Sequence, residues 1–125
     1  MTPERHQRMQ DILARLIKEK GVIGATLVTR DGLCVINSDD KILSPETFSA
    51  MTAALMGAAE TAFFELGGAK QLRVTAETEK NQMVAVGASD DLLLVLVGDG
   101  SKPAADIVKR AEATASQLRT ILGGG

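Results

Sequence analysis

One stretch of this chain limits its folding options more than any other. Between Pro45 and Leu66, thirteen of twenty-two residues are Ala, Leu, Met or Phe, and the only charges are Glu46, Glu60 and Glu65. Ser44-Pro45-Glu46 ahead of it reads as a helix start: a hydroxyl to cap, a ring suited to the first helical position, and a carboxylate at the positive end. Gly67-Gly68 supplies the stop, so a helix is predicted over about 45–66. At about 100° per residue, Phe48, Met51, Leu55, Ala59, Ala62 and Leu66 fall on one stripe, which we assign to the helix's own sheet. Nearly opposite lie Ala50, Ala53, Ala54, Gly57, Thr61 and Phe64, small and weakly polar. The spacing of Ala53, Gly57 and Thr61 by four lets another backbone come close. A surface helix normally carries charge opposite its core stripe, and this one does not.

Apolar residues around the whole circumference require cover around the whole circumference. A sheet covers one side only, and single domains rarely leave a large apolar patch bare. A two-fold copy of the same helix is the simplest cover, because most soluble oligomers are symmetric and two-fold dimers are the commonest. The alternative is a helix sunk in a deeper monomeric core.

The remaining segments surround this helix in a regular order. Thr2-Pro3-Glu4 starts a first helix over about 3–20, with Met9, Ile12, Leu13, Leu16 and Ile17 as its stripe and Gly21 as its stop. Residues 22–29 alternate as a strand, with Ile23, Ala25 and Leu27 on one face and Val22, Gly24, Thr26 and Val28 on the other. Arg30-Asp31-Gly32 is a hairpin signal leading to a second strand over about 33–37. Strands are also predicted over about 70–77, 82–87 and 91–97, before a last helix from Ser101–Pro103 to about Leu122, with Ser101 as its cap. The strand over 70–77 is dry on one face, contains no Pro, and suits a sheet edge open to pairing. The run Leu92–Val97 is dry on both faces and suits the centre. The fold class is therefore α/β (α+β), in the order α-β-β-α-β-β-β-α, with a mainly antiparallel five-stranded sheet covered on both faces. One domain spans 1–125, ordered over about 3–122, with Gly123-Gly124-Gly125 as a tail.

Composition removes several function classes. A net charge of −2, no Trp, no Tyr and three Phe argue against a nucleic-acid partner. The longest apolar run is too short for membrane insertion, and no signal peptide precedes the first helix, so a cytoplasmic protein is expected. One histidine, His6, and one cysteine, Cys34, leave no multi-His or multi-Cys metal site and no internal disulfide. A Cys34–His6 dyad would have to join a chain terminus to a strand, and Cys34 reads as a small apolar residue. Gly98-Asp99-Gly100-Ser101-Lys102 lacks the Gly-Lys-Ser/Thr of a phosphate loop and reads as a turn. Asp39-Asp40 and Asp90-Asp91 read as solvated turn charge. We expect no cofactor and no catalytic residues. Charge divides along the chain: residues 1–20 carry five Lys/Arg against three Asp/Glu, 101–125 four against two, and 21–100 five against eleven. If the first and last helices share a face, that face is mildly basic and the other acidic, a field that orients partners.

Residues 21–32, Gly-Val-Ile-Gly-Ala-Thr-Leu-Val-Thr-Arg-Asp-Gly, together with the Ala-rich middle helix and the Leu/Val-rich run 92–97, resemble the roadblock/LC7 family. The resemblance covers roughly residues 8–122. It implies helices 1 and 3 on one face of the sheet and helix 2 on the other. It also implies a homodimer through helix 2 and strand 3, for which Ala50, Ala53, Ala54, Gly57, Thr61, Phe64, Arg73, Val74 and Thr75 are the candidate interface residues. By the same resemblance the chain is a non-catalytic module that scaffolds or regulates a Ras-like small GTPase. It is similar to the bacterial polarity type, which orders the GTPase's own catalytic residues without an arginine finger. Glu46, Glu60 and Glu65 are candidate rim contacts. The alternatives are a structural subunit of a larger complex without a GTPase, or a small-molecule sensing domain with an apolar pocket between helix and sheet.

Overall fold

The computed structural model of the chain describes residues 1–39, 41–68 and 72–123. Its elements run α1 (Pro3–Leu16), β1 (Val22–Thr29), β2 (Cys34–Asn37), α2 (Pro45–Phe64), β3 (Arg73–Glu77), β4 (Gln82–Gly87), β5 (Leu92–Gly98) and α3 (Ala104–Ile121). The strands form one sheet in the order β2-β1-β5-β4-β3, and every neighbouring pair is antiparallel. β5 is central, in keeping with a strand that has no wet face, and the polar-faced β3 lies at an edge. Of the strand expected over 70–77, positions 70 and 71 lie outside the described residues, as do Asp40 and the last two tail glycines.

Two apolar layers sandwich the sheet. On one face Met9, Leu13 and Leu16 of α1 and Ile107, Ala111, Ala115 and Leu118 of α3 pack on Ala25, Leu27, Val84, Leu94 and Leu96. On the other, Ala53 and Met56 of α2 pack on Val28, Ala85, Leu93 and Val95, with Phe48, Val74 and Met83 at the margin. Alternation along β5 sends Leu94 and Leu96 to the first layer and Leu93 and Val95 to the second. The register of β1 against β5 shifts between Val22 and Gly24, so Val22 joins Ala25 and Leu27 instead of Val28. An irregularity of this kind inverts the simple alternation that assigned Val22 to the other face.

Helix ends obey local chemistry. Thr2 Oγ1 accepts from Arg5 N–H at 3.2 Å, and Ser44 Oγ accepts from Thr47 N–H at 3.2 Å. α1 stops at Leu16, short of the expected 20, because Lys18 and Glu19 donate to Arg15 and Leu16 carbonyls in a tightened turn that Gly21, at φ +95°, ends. Ser101 does not cap α3: the helix begins after Pro103 with no side-chain cap, and Ser101 N–H donates to Asp99 Oδ1 at 2.8 Å. A second correction concerns Asp39. It is buried, its Oδ1 accepting from Lys41 N–H at 2.7 Å. A Cβ on Gly24 would stand 2.5 Å from its Oδ2, so Gly24 makes room for the carboxylate.

Candidate interaction surface

α2 touches its sheet with a narrow arc of mostly small residues. Ser49, Thr52, Ala53 and Met56 are buried, a spacing of three and four that defines one face. Small side chains let the helix settle low: its Ala50 Cα would lie 3.0 Å from a Cβ placed on Gly32 of the β1–β2 hairpin. The arc is not the one assigned from bulk. Met51, Leu55 and Leu66, expected against the sheet, are 61%, 39% and 80% exposed. Ala53, expected on the partner face, is 8% exposed and belongs to the layer beneath the helix. The sheet already supplies bulk through Leu93, Val95 and Val28, so Met56 is the one large α2 side chain fully buried above it, beside small Ser49, Thr52 and Ala53, and Met51 and Leu55 turn outward.

The outward face is therefore apolar and open. Ala50, Ala54, Gly57, Ala58, Thr61 and Ala62 are exposed on it beside Met51 and Leu55, and Phe63 and Phe64 of the last turn and Leu66 just beyond the helix are exposed as well. Nothing lies within 4 Å of a Cβ built on Gly57. Thr61 Oγ1 donates to Gly57 O at 2.9 Å, which ties its hydroxyl to the helix backbone. Of the candidate interface residues, Ala50, Ala54, Gly57, Thr61 and Phe64 are exposed on α2, and Arg73 and Thr75 are exposed on edge strand β3. Val74 is half-buried against the α2 layer, and Ala53 is removed from the set. Met51 and Leu55 are the residues that sequence reasoning placed inside. Their signal was the run Ser49, Thr52, Ala53, Met56, which offers a low-bulk alternative face.

Charged residues frame this surface. Arg30 Nη1 donates to Glu60 Oε2 at 2.8 Å, so Glu60 is tied to the β1–β2 hairpin, while Glu46 and Glu65 are exposed. Arg73 Nη1 donates to Glu112 Oε1 of α3 at 2.5 Å, and Arg119 Nη2 donates to Gly87 O at 2.9 Å. These three arginines line an open groove of about 1270 Å³ at the sheet end, together with Asp90, Asp91 and Leu92. About half of its lining residues are charged, Arg30–Glu60 and Arg73–Glu112 among them as ion pairs, unlike the apolar helix-to-sheet pocket a small-molecule sensor needs. Among the described residues no cluster of His, Cys, Asp and Glu could hold a metal ion, and no helix is long and apolar enough to cross a membrane. In the β5–α3 turn, the Ser101 hydroxyl and backbone N–H hold the Asp99 carboxyl below its ordinary range.

A five-stranded antiparallel sheet, with α1 and α3 on one face and a single apolar-backed helix on the other, defines a mixed α/β sandwich with β2 and β3 at its two edges. The chain belongs to the Roadblock/LC7 domain family, whose pattern spans residues 8–98. An uncharacterised protein of Methanocaldococcus jannaschii is 31% identical over 85 residues, which are 68% of this chain and 75% of that protein. Among solved structures, Myxococcus xanthus MglB superposes with a TM-score of 0.88 at 16% identity, over 99% of this chain and 94% of that one. A structure described as MglB with a tetrameric arrangement gives 0.85 at 21% identity, over 97% and 92%.

Proposed function

We propose that this chain is a homodimeric interaction module, joined to its own copy through α2 and β3, that scaffolds or regulates a Ras-like small GTPase. The observation that carries the reading is the apolar outward face of α2: Met51 and Leu55 stand 61% and 39% exposed on a helix with no charge between Glu46 and Glu60. Family membership and the likeness to MglB, one structure of which is described as tetrameric, support self-association. The same membership supports a GTPase as the further partner. Regulation then requires that the dimer bind one nucleotide state better than the other, since a partner shifts an equilibrium only by its differential affinity.

Two measurements test this. Gly57→Arg introduces a long cation where the single chain leaves open space, so the fold survives and the dimer does not. Unchanged elution of that variant on a sizing column shows that Gly57 is outside the seam. A pull-down with a Ras-like small GTPase from the same genome, loaded with GDP or a GTP analogue, reads the regulatory part. Equal recovery of the two forms removes it, and recovery of neither removes the GTPase.

A further inference from the structure

Resting on the two-fold reading above, we infer that the β3 edges of two copies pair antiparallel in a single register centred on Thr75, locked by Arg73 of each copy opposite the partner's Glu77. The argument starts from parity. Edge-to-edge joining about a two-fold axis perpendicular to the sheet keeps both α2 helices on the same side. Residues directly opposed in an antiparallel ladder point to the same face. The axis must then pass through a residue and not between two.

The two faces of β3 are distinct. Arg73 reaches Glu112 on α3, so Arg73, Thr75 and Glu77 share the α3 face. Val74 packs in the α2 layer, and Ala76 shares its side. A centre at Arg73 or at Glu77 sets like charges opposite each other. A centre at Val74 sets Arg73 against Thr75. A centre at Ala76 sets Glu77 against Thr75 and carries Arg73 to Glu79, which lies beyond the strand in the β3–β4 turn, where Thr78 N–H donates to Asn81 O at 2.8 Å. Only the Thr75 centre engages the whole strand Arg73–Glu77. It sets Arg73 against the partner's Glu77 twice and Val74 against the partner's Ala76 twice on the α2 side. Arg73, 51% exposed at its side chain, then bridges Glu112 of its own chain and Glu77 of the other. Glu77 has no ion-pair partner among the described residues.

Single cysteines in a Cys34→Ser background read the register. Directly opposed residues have Cα atoms about 4.5–5.5 Å apart, within disulfide range, whereas diagonal neighbours stand at about 7–8 Å, beyond it. Under mild oxidation Thr75→Cys is expected to form a covalent dimer, and Val74→Cys and Ala76→Cys are not. Glu77→Arg leaves the Arg73–Glu112 pair intact and is expected to weaken the dimer roughly 2- to 30-fold, with the gap shrinking in high salt. Cross-linking at 74 or 76 but not 75 overturns the register. No cross-linking at any of the three in a chain that sediments as a dimer overturns the Thr75 register and the charge rule that selected it. An unchanged dimer constant for Glu77→Arg overturns the ion pairs. Sedimentation of the unaltered chain as a monomer instead removes the underlying two-fold reading, a different and separately visible failure.

Discussion

Gly32 and Ala50 meet backbone to backbone: a Cβ on Gly32 would stand 3.0 Å from Ala50 Cα, and Gly32 holds φ at +98°. The contact sets the height of α2 above the sheet, because the hairpin tip lies against the helix. Gly32→Ala therefore meets two penalties, a left-handed backbone and a backbone atom that cannot give way. We expect a loss of about 1–3 kcal/mol, read as a lower urea midpoint. An unchanged midpoint shows that the hairpin and helix are not held together there.

Ser49 presents the opposite case. Its Oγ is buried beneath α2 without a hydrogen-bond partner, whereas the neighbouring Thr52 Oγ1 donates to Phe48 O at 2.7 Å. Ser49→Ala removes an unsatisfied group and raises helix propensity, so it is expected to stabilise the chain by about 1–2 kcal/mol. Thr52→Ala, which gives up a satisfied hydroxyl and a packed methyl, is expected to destabilise it. A melting temperature that falls for Ser49→Ala means the hydroxyl has found a partner.

Ala53 and Ala54 are adjacent in sequence and opposite in consequence. Ala53 is 8% exposed over Leu93 and Val95, while Ala54 faces outward. Ala53→Glu places a charge in an apolar layer and is expected to abolish cooperative unfolding, by a cost of roughly 4 kcal/mol or more. Ala54→Glu is expected to keep monomer stability within about 0.5 kcal/mol and to reduce self-association. Circular dichroism melts of the two variants, run beside sizing chromatography, separate these outcomes. Equal melts return α2 to the orientation expected from bulk alone.

Asp99 gives the turn before α3 a pH dependence. Donation from the Ser101 hydroxyl and N–H lowers its folded pKa below the ordinary 3.8, so the folded chain favours the ionised form. That contribution is complete above the unfolded value and disappears as pH falls through the lower folded value. Asp99→Ala is therefore expected to be less stable than the unaltered chain at neutral pH, with the gap closing in acid. A gap that stays constant from neutral pH into strong acid assigns the effect to chain geometry and not to ionisation.

Much of the architecture is local in origin, and the amino-acid order alone determined it. Caps at Thr2 and Ser44, the doubly dry run Leu92–Leu96 and the one-sided β3 follow from short-range chemistry and period, and they led to the observed element order and sheet centre. The outward greasiness of α2 was legible for the same reason, since a helix apolar all round cannot hide every side under one sheet. Which side faces in was not legible. Periodicity has no direction when apolar residues encircle the axis, and bulk pointed to Met51 and Leu55. The sheet reversed that choice: Val28, Leu93 and Val95 fill the layer, the Gly32 hairpin admits a close helix, and the arc of Ser49, Thr52, Ala53 and a single large residue, Met56, fits between. Packing density is a property of both surfaces at once, so the rotation of this helix, and with it the identity of the exposed residues, was decided by tertiary contact.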